Sequence, residues 1–278
     1  MASWTAASEF LVTHARPLER RRLLGDAEAV RHAVLAYRNP DGGFGHAIEA
    51  DVRSPHSQPL GCEAAMKPLV EVGLGDVDLV PTCDWLASLG DPAVPILLPT
   101  INGYPKAGHW GDGPYEPHVN PTASLAGYLH ALGVRHPWVD DATAWCWTAL
   151  ENGPPAEAHA LKCALVFLEH VPDRDRAERL APTMVDALRG SDWFRADPDA
   201  PEYGVTPLDV ADRPDHPWAP LFDDLDAHLD RLERDQLGDG GWPVTWDAPG
   251  ATSVTEWRGV VTLHAVHVLR AFGRLTPG

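Results

Sequence analysis

The chain has 278 residues, a net charge of −18, 44 % hydrophobic and 22 % charged side chains. That length and balance describe a globular chain with ample material for a core. They exclude a nucleic-acid surface, which needs clustered Lys and Arg. No apolar run approaches the roughly 20 residues of a membrane span.

The N-terminus, "MASWTAASEFLVTHARPLERRR", lacks the charged-then-apolar layout of a signal peptide, so a cytoplasmic protein is expected. Its basic run, Arg20 to Arg22 after Glu19, reads as a solvated helix face. Apolar residues at helical spacing predict helices over residues 27–38, 62–73, 122–133, 140–153, 156–171, 175–190, 221–238 and 254–273. Several of these segments end in Gly, a helix C-terminus signal. Alternating strand patterns are almost absent, and the 27 Pro and 24 Gly fall mainly between the helical segments. The fold class is therefore all-α, in one domain spanning residues 1–278. Cys62, Cys83, Cys146 and Cys163 form no C-x-x-C pair and read as reduced core thiols.

Two loops, over residues 91–121 and 192–217, are far longer than an ordinary helix connection, and loops of that length are usually functional or irregularly packed. An internal repeat is also visible. "YRNPDGGFG" (37–45) corresponds to "RDQLGDGGWP" (234–243). Each copy follows a polar-faced helix, turns through Asp-Gly-Gly-aromatic and leads to a more apolar helix. Glu63 and Glu256 stand near the start of those second helices. A helix pair takes about 45 residues, which leaves room for roughly six pairs. Six pairs closed on themselves make an (α/α)6 toroid, or barrel, with inner helices around a central cavity.

These turns carry a family resemblance. Pro40, Gly42, Gly43, Phe44 and Gly45, then Pro55, His56 and Pro59, resemble the repeat of protein prenyltransferase β subunits. Leu232, Gln236, Gly240 and Trp242 resemble the QW motif of squalene-hopene and oxidosqualene cyclases. The resemblance implies a terpenoid cyclase/prenyltransferase-like α/α toroid and an enzyme of isomerase or lyase type with an apolar isoprenoid substrate. In those families such repeats brace the barrel from outside. The Asp-x-Asp-Asp acid motif of the cyclases is missing; "DVDL" (76–79) and "FDDLD" (222–226) are the nearest acidic runs. The prenyltransferase zinc site is not carried over, because "CDW" (83–85) reverses its Asp-x-Cys pair. "PLGCEAAM" lacks the Gln of a complement-type thioester, since Ala65 stands there.

In a toroid the loops that feed the inner helices surround one mouth of the cavity. The first such loop carries His46, Glu49, Asp51, Arg53 and His56. The middle loop carries His109, Trp110, Asp112, Tyr115, Glu116 and His118. The last carries Trp246 and Asp247, followed by Glu256 and Trp257. An acid-initiated reaction needs a carboxylic acid kept neutral by burial or by a second carboxylate. Glu49 and Asp51 are the candidate acids, with His46 or His56 as hydrogen-bond partner or final base. Trp110, Trp246 and Trp257 supply aromatic faces for a cation or a ring. Glu63, Glu256, Asp247, His109 and Tyr115 complete the expected binding surface. The competing structural reading puts Glu63, Glu256 and Glu157 in first helical turns, against the helix dipole. It makes His264 and His267 packed residues. No cofactor is required; a divalent metal on His46, Glu49, Asp51 and His56 is the weaker alternative. Two other functions fit the same residues: a non-catalytic toroid that binds an apolar ligand or a protein, and a glycan-active lyase, hydrolase or epimerase.

Overall fold

A computed structural model describes residues 2–90, 92–113 and 115–277. Among them the chain is all-helical, with eleven α-helices: α1 (Trp4–His14), α2 (Pro17–Leu24), α3 (Ala27–Leu35), α4 (Pro59–Glu71), α5 (Val80–Ala87), α6 (Val119–Ala131), α7 (Pro137–Glu151), α8 (Ala158–His170), α9 (Arg174–Arg189), α10 (Leu225–Arg234) and α11 (Ala251–Ala271). The stretches between α5 and α6 and between α9 and α10 hold, among the described residues, only short 3-10 turns, at Pro99–Ile101, Gly108–Trp110, Pro207–Asp209 and Ala219–Leu221, and isolated β-bridges.

Local chemistry sets the helix ends. Ser3, Asp26 and Asp173 accept from backbone amides in the first turns of α1, α3 and α9. Pro59 and Pro137 open α4 and α7, where the missing N–H costs nothing. α4 and α11 therefore start before the periodic apolar residues do, at positions 59 and 251. This corrects the expectation for two acids: Glu63 and Glu256 lie in the second turn, beyond the strongest pull of the dipole. Glu157 is the N-cap position of α8. α1, α2 and α5 escaped the periodicity because α1 is polar-spotted, α2 is "PLERRRLL" and α5 is only eight residues with Pro81 inside.

The repeat is a true structural repeat. In one copy Asn39 donates to the Gly43 carbonyl at 2.8 Å and Gly42 donates to the Asn39 carbonyl at 3.0 Å. In the other, Leu237 donates to Gly241 at 2.8 Å and Gly240 to Leu237 at 2.9 Å. Asp41 and Asp239 each accept from the glycine amide two residues on. Gly42 and Gly240 have φ of +94° and +91°, and a Cβ on either would sit 2.2 Å from a neighbouring carbonyl, of Pro81 or Ala6. Only glycine fits such a turn. Phe44 and Trp242 then fill the core. Gln236 binds the backbone of Ser3 through both ends of its amide, so the second turn is laced to α1. The equivalence stops at the turns. Glu63 and Glu256 have different surroundings, one against Cys163 and the other against Arg53.

Burial divides the molecule. α6 is buried along Asn120–Leu129 and lies between α4 and α8, with α7 and α9 packed outside them. These helices share one large apolar core with α3 and α5. A second core joins α1, α10 and α11 through Ala7, Leu11, Leu229, Trp242, Leu263 and Val266. α11 packs on α1, so the two ends of the chain meet. All four cysteines are free and buried. Among the described residues no helix is long and apolar enough to cross a membrane. Lys67 of α4, Lys162 of α8 and His264 of α11 lie within electrostatic reach of one another.

Candidate functional site

The loop between α3 and α4 is held from several directions. Arg16, paired with the fully buried Glu19 at 2.7 Å, donates to the carbonyls of Ala47 and Ile48. This fixes His46 and Ala47 at φ of +55° and +58°, a conformation rare outside glycine. Ser253 of α11 donates to the Ala50 carbonyl at 2.6 Å. The Arg53 amide donates to Pro105, and the Ala107 amide donates to the Asp51 carbonyl. Residues 50–53 are thus clamped between α11 and the middle loop.

The clamp aims Asp51 at two tryptophans. Its carboxylate accepts the indole N–H of Trp257 at 2.8 Å and of Trp246 at 3.1 Å, and His109 Nε2 lies 3.9 Å away. Asp51 is buried, and burial raises its pKa against the pull of Trp257, His109 and Trp246. Arg53 forms a two-pronged pair with Glu256 one residue before Trp257. Glu49 lies beside Asp51. Burial pushes its carboxyl up to about 8, with Asp51 adding to the rise and the Asp51 amide and Arg16 opposing it. At neutral pH Glu49 is therefore a neutral acid next to a fixed carboxyl group.

An aromatic wall continues from there. Trp257 and Trp246 meet edge to face at 4.9 Å, and Trp246 meets Tyr203 at 5.1 Å. Tyr203 stacks on His159 with its hydroxyl 2.7 Å from Nε2. Burial lowers the His159 pKa to about 4, helped by Lys162, so its ring is neutral and shares one hydrogen bond with the tyrosine hydroxyl. One turn deeper on α8 comes Lys162, facing Asp209, Tyr203 and Glu63. Burial works to raise Asp209, but the charges of His264 and Lys162 and two bonds from Thr206 hold it at about 2. Its two carboxylate oxygens are served by Thr206, at 2.8 Å, and by His264, at 3.8 Å. Glu49, Glu63, His159, Lys162, Tyr203, Asp209, Trp246 and His264 all keep part of their surface accessible. Desolvation is nevertheless the largest influence on Glu49, His159, Lys162, Asp209 and His264. Partial exposure combined with strong desolvation is the condition of side chains on a concave surface, and the recess inferred from it is the space these groups share.

Several sequence candidates converge here: Asp51, Glu49, Trp246, Trp257, His109, Glu256 and, through Cys163, Glu63. Others do not. His46 is exposed and bonded to Asn39 at 2.8 Å. His56 is exposed 3.4 Å from the Tyr104 hydroxyl, beside a separate outer groove of about 400 Å³ lined by Asn39, Asp41, Ser57 and Trp85. As partners or bases for Glu49 and Asp51 both are corrected: the Asn39 and Ser54 bonds turn this stretch outward. For the same reason the four residues named for a metal do not converge, and no metal-sized group of three His, Cys, Asp or Glu occurs among the described residues. Trp110 packs with Tyr115 on Val52, Leu60, Leu97 and Ile101, and Tyr115 donates to Asn102 at 3.1 Å. Asp247 is exposed. Sequence reasoning missed His159, Lys162, Tyr203 and Asp209. The signal for the first two was present, as polar residues three apart within the apolar "AHALKCALVFLEH".

No protein-family model, curated protein or solved structure matches this chain.

Proposed function

We propose that the chain is an enzyme performing acid–base chemistry on a saccharide-like substrate, in a chamber walled by helix pairs closed into a toroid. The observation that carries this reading is the placement of Glu49, whose carboxyl burial pushes up to about 8, two residues from Asp51, which two indole N–H groups pin. In this reading Glu49 gives its proton to a departing or carbonyl oxygen, and Asp51 takes one from water or from a substrate carbon. A sugar ring has an apolar face for Trp246 and Trp257 and hydroxyls for the carboxyl and imidazole groups around them.

The isoprenoid cyclase suggested by the two repeats is the second reading, and the edge-to-face run of Trp257, Trp246 and Tyr203 favours it. Lys162 and Asp209 count against it. A charged lining keeps water in the recess, and an ammonium there repels a developing carbocation. The repeats themselves brace α1 and α5, through Gly240 on Ala6, Gln236 on Ser3 and Gly42 on Pro81.

The test offers the purified protein neutral and uronate-containing oligosaccharides, prenyl diphosphates and squalene, with products read by mass spectrometry. The account expects a saccharide product, formed at least about 100-fold more slowly by Glu49→Gln and Asp51→Asn. A cyclised prenyl product would transfer the site to the second reading. Saccharide turnover unchanged in both variants would remove Glu49 and Asp51 from the chemistry.

A further inference from the structure

We propose that Lys162 is an anion-recognition group, receiving a carboxylate or phosphate of the substrate in the depth of the recess. The inference deepens the saccharide reading and rests on it. Three observations lead there. Lys162 projects from α8, a helix otherwise given to Ala, Leu, Cys and Phe in the core. Its ammonium has neither a hydrogen bond nor an ion pair within 4 Å among the described residues, while its neighbour Asp209 is already paired with His264. The carboxylate that acts on it most strongly, Asp209, is already bonded to Thr206 twice and faces His264.

With no direct hydrogen-bond or ion-pair partner, the ammonium keeps its donors free for an incoming oxyanion. Asp209, Tyr203 and Glu63 outweigh burial and keep it protonated. It thus remains a point charge, the form in which lysine binds oxyanions. Its position is also specific. His159, one turn nearer the mouth on the same helix face, holds Tyr203, and Tyr203 meets Trp246, the donor to Asp51. A ring lying against Trp246 and Tyr203 would therefore present one substituent to Glu49 and Asp51 and another to Lys162. In a chain of net charge −18, the recess needs such a local cation to admit an acidic ligand.

The experiment is calorimetric titration of the whole chain with glucuronate, glucose 6-phosphate and uncharged glucose, at low salt. It is run on the wild type, Lys162→Met, Lys162→Arg and Glu49→Gln. At least one acidic probe should bind the wild type about tenfold or more tightly than glucose. Lys162→Met should abolish that preference, and Lys162→Arg should retain part of it. Preference for glucuronate identifies a carboxylate substrate, and preference for glucose 6-phosphate a phosphorylated one; either supports the proposal. Equal binding of charged and uncharged probes by the wild type overturns it, as does a preference that survives Lys162→Met. Should Lys162→Met fail to fold, the 13C-dimethyl resonance of Lys162, assigned by its loss in Lys162→Arg, decides: a shift with the acidic probe supports the proposal, and no shift overturns it. Glu49→Gln separates the two claims, because a retained acidic preference without turnover leaves Lys162 standing whatever becomes of the acid–base reading.

Discussion

Replacing Trp257 by Phe removes the 2.8 Å donor to Asp51 and keeps an aromatic ring against Trp246. A lost bond to a buried carboxylate costs about 1.5–3 kcal/mol. In a chain of this size that is a Tm drop of several degrees by thermal denaturation, at about 2–4 °C per kcal/mol. The same change raises the Asp51 pKa further, because one of the two indole donors that oppose burial is gone. Asp51 itself was legible in the sequence, since an Asp two residues from a Glu in a glycine-flanked loop is an acid-pair pattern. Its partners were not. Trp246 and Trp257 lie 195 and 206 residues away, and only the folded chain brings their N–H groups to it. His46 and His56 show the converse failure. Nearness in sequence suggested partnership, yet the bonds of Asn39 and Ser54 direct that backbone to the outside.

The two Asp-Gly-Gly turns make a prediction at the scale of the element. Gly42→Ala and Gly240→Ala force a Cβ to 2.2 Å from a carbonyl oxygen at a positive φ, and each should cost several kcal/mol. Gly25→Ala is the control. Its φ is +67°, but nothing lies within 4 Å of the added Cβ, so the cost should stay near 1 kcal/mol. Urea denaturation of the three variants reads the contrast, and equal effects would mean that the close approach to Pro81 and Ala6 is unimportant. These turns were readable because their chemistry is local. Glycine, aspartate and the following aromatic define them within four residues. The long helices were readable for the same reason, through the 3.6-residue repeat. α2 and α5 were not, because eight residues give little more than two turns of pattern and their register is set by neighbours. The segment from Tyr203 to Asp209 was least readable, being loop and 3-10 turn with no period.

For the molecule as a whole, opposing titrations shape stability against pH. Burial depresses His159 and His267 from 6.5 to about 4. The unfolded chain therefore binds more protons between these values, and stability is lost as pH falls from about 6.5 towards 4. Each histidine contributes about 3 kcal/mol at most. Glu49 acts in the other direction. Its folded pKa is raised from 4.5 to about 8, so stability is present below 4.5 and lost as pH rises to 8. These three groups together place the Tm maximum near about pH 6.5. Differential scanning fluorimetry from pH 4 to 9 should show it. Glu49→Gln should remove the alkaline decline, and His267→Gln should flatten the acid side between about pH 4.5 and 6.5, where the remaining His159 and Glu49 nearly cancel.

The account depends most on Glu49 being a neutral acid at physiological pH. That is measured directly by titrating the side-chain carboxyl resonance in protein carrying 13C at glutamate Cδ, assigned by its loss in Glu49→Gln. A midpoint near 8 is the predicted result. A midpoint in the ordinary range of about 4 to 5 would leave Glu49 ionised at pH 7 and contradict the acid–base site.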